Sequence, residues 1–153
     1  MGLTAHFKGD IDGVFKAFLL EVERQIIESL CHVGEEAVKL AKEIPPERGF
    51  TDQTGNLRSS MGYIVFKDGK PVQVAFKQVK DGSNGIQEGQ KLAQSVGQKY
   101  TEGYALVVVA GMNYAVHVES KGRDVLTSAE KYAEKAIAKE LADMVTNVKN
   151  AFK

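Results

Sequence analysis

The chain of 153 residues has a single cysteine, no tryptophan, only three prolines and no net charge. Cys31 alone cannot close an internal disulfide, and the scattered His6, His32 and His117 cannot build a cysteine-rich zinc site with it, so disulfide scaffolds and zinc fingers are excluded. Twenty Lys and Arg balance twenty Asp and Glu. The global pull on phosphate expected of a dedicated nucleic-acid binder is therefore missing, while local basic patches are not. No apolar run approaches the ~18 residues of a membrane span, and residues 1–10 hold no apolar core of signal-peptide length. The expectation is an intracellular product without a membrane span. What is present, 43% hydrophobic residues, suffices for one globular domain over 1–153.

The first long element is predicted to be an amphipathic helix over 10–44. Ile11, Val14, Phe15, Phe18, Leu19, Val22, Ile26, Leu30, Val33, Ala37, Leu40, Ala41 and Ile44 recur at spacings of three and four. Asp10 or Asp12 suits its start, Gly34 is a place for a bend, and Pro45-Pro46 stop it. Residues 61–77 read as a β-hairpin around Asp68-Gly69, a pair able to supply the positive φ angles of a tight turn. That turn predicts Lys67 opposite Lys70, Phe66 opposite Pro71, Val65 opposite Val72, Ile64 opposite Gln73, Tyr63 opposite Val74 and Met61 opposite Phe76. Ile64 and Phe66 would then form a small apolar patch without a partner in the chain, a candidate contact surface.

Residues 81–103 are glycine-rich and polar and read as an insertion or flexible loop, with a short helix from about Gln87 to Tyr100. Gly82, Gly85 and Gly89 lack the Gly-Lys-Ser/Thr of a phosphate cradle. Tyr104 to Ala110 is an uninterrupted apolar run that suits a central strand covered on both faces. A closing helix over 128–152 has Thr127 as N-cap, Glu130 as its capping-box partner, and Tyr132, Ala136, Ile137, Leu141, Met144, Val145, Val148 and Phe152 along its inner stripe. The fold class is α+β: a long N-terminal helix, a small antiparallel sheet of about three strands with a β-hairpin, and a long C-terminal helix. Helices would cover one sheet face, leaving the other face and the edges for self-assembly.

Chemistry-bearing constellations are sparse. Asp10-Ile11-Asp12-Gly13 opens like a calcium loop, but Val14 and Phe15 stand where oxygen ligands are required. Cys31 has no motif around it. If residues 114–119 were extended, His117 and Glu119 would share one side, where the carboxylate could raise the proton affinity of the imidazole and make it a general base. Lys67, Lys70, Lys77 and Lys80 are either a basic rim for passing DNA or charges that protect the hairpin from aggregation. No catalytic residue, metal ligand or cofactor site is assigned, and the expectation is a protein that is not an enzyme.

Thr54-Gly55-Asn56-Leu57-Arg58-Ser59-Ser60 follows a long helix and prolines and precedes a hairpin. Tyr114, Ala115, Val118 and Glu119, with Gly122 after them, precede the closing helix. In motif and order the chain resembles the tailed-phage head-tail connector and tail-completion (minor tail component) proteins. They carry a helix, a proline followed by Thr-Gly-x-Leu-Arg-x-Ser, a hairpin, a Tyr-Ala-x-x-Val-Glu stretch and a last helix. Pro46 lies farther from Thr54 than usual, and Glu119 reaches Gly122 through two residues instead of one. The resemblance implies a structural protein of the virion, in the host cytoplasm before assembly, that forms a ring of identical subunits at the head-tail junction or tail end. Six copies are expected in the particle, in contact with other neck or tail proteins, with DNA passing transiently and non-specifically. It implies subunit or partner contacts by Thr54, Gly55, Leu57, Arg58, Ile64, Phe66, Tyr114 and Glu119, and a pairing of Arg58 with Glu119 within or across subunits. Two other classes stay open: a cytoplasmic adaptor or dimeric protein-binding module, and a small enzyme using His117 and Glu119.

Overall fold

The computed structural model describes residues 2–4, 9 and 11–151. Asp10 as a helix start, the opening of the calcium-like stretch, His6 and the end of the inner stripe at Phe152 lie outside them. The elements are α1 (Ile11–Lys42), α2 (Asn56–Ser59), β1 (Met61–Lys67), β2 (Lys70–Phe76), α3 (Ser83–Gly97), β3 (Tyr104–Ala110), α4 (Ala115–Ser120) and α5 (Thr127–Ala151). A long N-terminal helix, a three-stranded antiparallel sheet with a hairpin and a long C-terminal helix make the fold α+β.

The sheet order is β2-β1-β3, so β1 is central and the apolar run of β3 lies at an edge. Both faces of β3 are nonetheless covered: Val107 and Val109 pack beneath α3 with Ala93, while Leu106 and Val108 face α1 and Ile137 of α5. Coverage of two faces produces a continuous apolar run whether or not both edges are paired, and this is why the run misleads about position.

The hairpin turns at Asp68 and Gly69, both with positive φ, and Lys67 opposes Lys70 and Phe66 opposes Pro71 as expected. Beyond that pair the register slips by one: Val65 opposes Gln73, Ile64 opposes Val74, Tyr63 opposes Ala75 and Gly62 opposes Phe76. Val72 is the extra residue of a bulge. The irregularity lies beside Pro71, which has no amide hydrogen to give to the ladder.

The second sheet face is not open. α3 lies across it, and Ile64 and Phe66 are each 0% exposed against Ala93, Val107 and Val109. The glycines that suggested a flexible loop are the reason the helix can lie there. Gly85, Gly89, Ala93 and Gly97 recur every four residues on one buried stripe. A Cβ on Gly85 would fall 2.1 Å from the Asn56 carbonyl oxygen, and one on Gly89 would fall 2.4 Å from that of Ser60. Each such glycine costs about 1 kcal/mol of helix propensity relative to alanine. The close approach of helix to sheet offsets that cost.

On the opposite face α1 covers β1 and β3, burying Leu30, Val33, Ala37 and Ala41. α1 runs unbroken through Gly34, whose missing side chain makes room for the Tyr63 ring, 2.7 Å from where a Cβ would stand. α5 packs along α1 rather than on the sheet. The first turns of α1 lie beyond the core, leaving Val14, Phe15, Leu19 and Leu20 exposed although the first three belong to the expected inward stripe.

Candidate functional site: the junction of the two motifs

The segment before α2 is organised by a residue the sequence reading passed over. Asp52 is buried, and its carboxylate accepts hydrogen bonds from the amides of Gly55 (3.0 Å) and Arg58 (2.8 Å). Thr54, expected to cap this turn, accepts only a longer bond from the Asn56 amide (3.3 Å) and is exposed. The available signal was an acidic residue with a glycine three positions on, immediately ahead of a short helical run. Gly55 is required at its place. Its φ of +81° is left-handed, and a Cβ would meet the Val79 carbonyl oxygen at 2.0 Å.

The remaining residues of the first motif tie elements together. Leu57 is buried in the cluster with Phe50, Met61 and Ala115. The Ser59 hydroxyl accepts from the Val79 amide (2.7 Å) and donates to the Val79 carbonyl (3.1 Å). Ser60 donates to the Leu57 carbonyl (2.7 Å) and accepts from the Met112 amide (3.3 Å). Asn56 accepts the Gly85 amide near the start of α3 (3.1 Å). This short stretch thereby holds the segment after β2, the start of α3 and the segment after β3 in one network.

Arg58 is half-buried. Its Nε donates to the Lys42 carbonyl at the end of α1 (3.1 Å), and its Cζ stands 4.6 Å from the centroid of the Phe50 ring. A cation at the carboxyl end of a long helix meets the negative end of the helix dipole, and the planar guanidinium stacks on the ring face.

Glu119 does the mirror-image work at the start of α5. One carboxylate oxygen accepts from the amides of Val125 (3.4 Å), Leu126 (3.1 Å) and Thr127 (2.9 Å) and from the Thr127 hydroxyl (2.6 Å). Asp124 accepts from the amide and the hydroxyl of Ser128. The expected Thr127–Glu130 capping box is thus replaced by two upstream carboxylates, since the Thr127 hydroxyl donates instead of accepting. Burial by itself would raise the Glu119 carboxyl; the Thr127 hydroxyl and the three amides outweigh it and hold it below the usual carboxylate range.

These partners correct two expectations. Within the chain Arg58 and Glu119 do not pair, because each is committed to a different helix terminus. Residues 115–120 are helical rather than extended, so His117 and Glu119, two positions apart, point to different sides of α4. The His117–Glu119 dyad does not form.

The two motifs do meet. Thr54 and Leu57 of the first line a shallow cavity of about 310 Å³ with Tyr114 and Val118 of the second, and Phe50 and Asp52 complete its wall. Tyr114 is 38% exposed, and burial with the nearby Asp52 charge raises its hydroxyl pKa. Of the expected contact residues, Thr54 and Tyr114 reach the surface. Gly55, Leu57, Ile64 and Phe66 are buried within the chain.

The four lysines do not form one rim. Lys67 and Lys70 flank the hairpin turn, while Lys77 and Lys80 follow the far end of β2. Lys67 is bound to Glu23 of α1 (2.7 Å), and Lys80 donates to the Asp52 carbonyl (2.7 Å). Lys70 and Lys77 are exposed. Burial raises the Cys31 thiol, the opposite of nucleophile activation. Among the described residues no three His, Cys, Asp or Glu side chains are grouped to hold a metal ion, and no helix is long and apolar enough to cross a membrane. No family model matches the chain, and neither the curated proteins nor the solved structures yield a match.

Proposed function

We propose that this chain is a structural subunit of the head-tail junction or tail end of a tailed phage or prophage, assembling with identical copies as a ring. The single observation that carries the reading is the incomplete sheet. Among the described residues there are only three strands, the outer edges of β2 and β3 pair with no other strand, and β2 exposes Val72 and Val74 at 42% and 43%. Such edges are open to pairing with another chain. A head-to-tail contact repeated by rotation closes into a ring. A zero net charge accords with DNA passing through the opening without being retained.

The two motifs contribute in this reading as builders of a rigid subunit. Arg58 and Glu119 fix the ends of α1 and α5, leaving Thr54 and Tyr114 at the surface beside the junction cavity. The protein acts by geometry rather than by turnover. Deletion of its gene in the phage or prophage that carries it, followed by electron microscopy of the lysate, tests the proposal. Heads and tails that fail to join, or tails with irregular ends, are expected, with normal particles restored by a plasmid copy. Particles of normal form and infectivity without the gene would overturn it.

A further inference from the structure

Two grooves flank the helical layer, one on either side of α1. Because α5 packs on α1 and stands off the sheet, a groove of about 560 Å³ lies between β3 and α5, walled by Leu106, Val108, Ala129, Ala133 and Ile137. Glu130 and Glu134 line the same groove, and both are exposed. On the other side of α1, β2 has little helical cover. A groove of about 490 Å³ separates it from α1, with Val38 and Ala75 in its wall and Lys39, Lys42 and Lys77 around it. Both grooves run beside a strand with an unpaired edge, but the first carries carboxylates and the second carries three lysines against two carboxylates.

We propose that copies of this chain join head to tail, with β2 of one copy along the free edge of β3 of the next and α5 of that second copy seated in the first copy's α1–β2 groove. The inference deepens the ring reading by naming the surfaces that meet, and it rests on that reading only for the partner being a second copy. The strands are matched in length at seven residues each. Both run antiparallel to β1 and therefore parallel to each other, so a side-by-side repeat brings them together as a parallel pair.

The charges match as well. The basic groove side would receive the α5 face bearing Glu130 and Glu134. Of the acids in the basic groove, Glu35 already accepts the Tyr63 hydroxyl (3.2 Å), and Glu43 lines the groove about two helical turns further on. Burial first, and then the Lys77 ammonium, lower the Lys42 pKa. Lys42 also donates to the Lys77 carbonyl (3.2 Å). Three lysines stand against two carboxylates there, and carboxylates from a neighbouring copy would balance the excess. The contact closes both free edges at once, and being heterologous it propagates instead of stopping at a dimer.

Lys77→Glu and Glu130→Lys, each alone and then mixed, test the pairing. In either single variant the facing charges are alike, and the dissociation constant measured by sedimentation over rising concentration is expected to increase about tenfold or more. In the mixture every contact between unlike copies is complementary, so association returns, with the two variants alternating. Folding of each variant is checked by circular dichroism. An independent arm needs no substitution: carbodiimide treatment of mixed light and ¹⁵N-labelled wild-type protein is expected to join Lys77 to Glu130 in peptides of mixed label. A wild-type chain that stays monomeric at millimolar concentration, variants that associate as well as wild type, a mixture no better than its components, or cross-links confined to one label would each overturn the pairing. Rings built through another surface would overturn it while leaving the head-tail reading to the deletion experiment.

Discussion

Gly97 of α3 lies against the ring of Phe66 in the central strand, so close that a Cβ on the glycine would fall 2.1 Å from two ring carbons. The contact turns an apparently loose glycine-rich stretch into the cover of the second sheet face. It also explains why Phe66 is fully buried in a strand that has an exposed neighbour in β2.

Gly97→Ala separates the two opposing effects of such a glycine. At an open helical site alanine would stabilise by up to about 1 kcal/mol. Here overpacking against Phe66 is expected to dominate and lower stability by about 2 kcal/mol, read as a lower urea midpoint at unchanged slope. Combining the change with Phe66→Leu should recover part of the loss. An alanine variant more stable than wild type would show that α3 is not seated as described.

Glu119→Gln is expected to cost about 1–2 kcal/mol at neutral pH, since a charged acceptor at the start of α5 is replaced by a neutral one that serves fewer donors. The native Glu119 carboxyl is held below its ordinary value of 4.5. The unfolded chain therefore binds the proton more readily, and the stabilising contribution is complete above that ordinary value. It is lost as pH falls from there through the lower native value. Urea midpoints of wild type and variant should converge across that acid window and differ most at neutral pH. A difference independent of pH would show that Glu119 acts by packing alone.

Exchanging the charges in Arg58→Glu with Glu119→Arg is expected to give the sum of the two single penalties, with a coupling below about 0.5 kcal/mol. Each residue serves a different helix end, Arg58 through Lys42 and Phe50 and Glu119 through residues 125–127. Equilibrium unfolding of the four proteins in a double-mutant cycle measures this. A double variant more stable than either single would reinstate a direct pair.

Much of the fold was legible locally. The stop of α1 before Pro45, the turn at Asp68-Gly69, the extent of β3 and the presence of a long last helix each follow from a few neighbouring residues, since period, proline and positive-φ preference are short-range properties. The site was legible only in part. Both motifs mark the place where the chain converges, but Asp52 and Phe50, which hold the first of them, stand outside it.

What the amino-acid order determined alone was therefore the two long helices, the hairpin and the third strand, and their order along the chain. The tertiary structure decided the rest: which strand is central, how β2 slips past Pro71, and that Gly85, Gly89 and Gly97 form a contact face instead of a loop. It also decided that Arg58 and Glu119 cap different helices. These outcomes depend on which surfaces come within a few ångströms of one another. A missing side chain looks the same in a sequence whether it frees the backbone or admits a neighbouring ring.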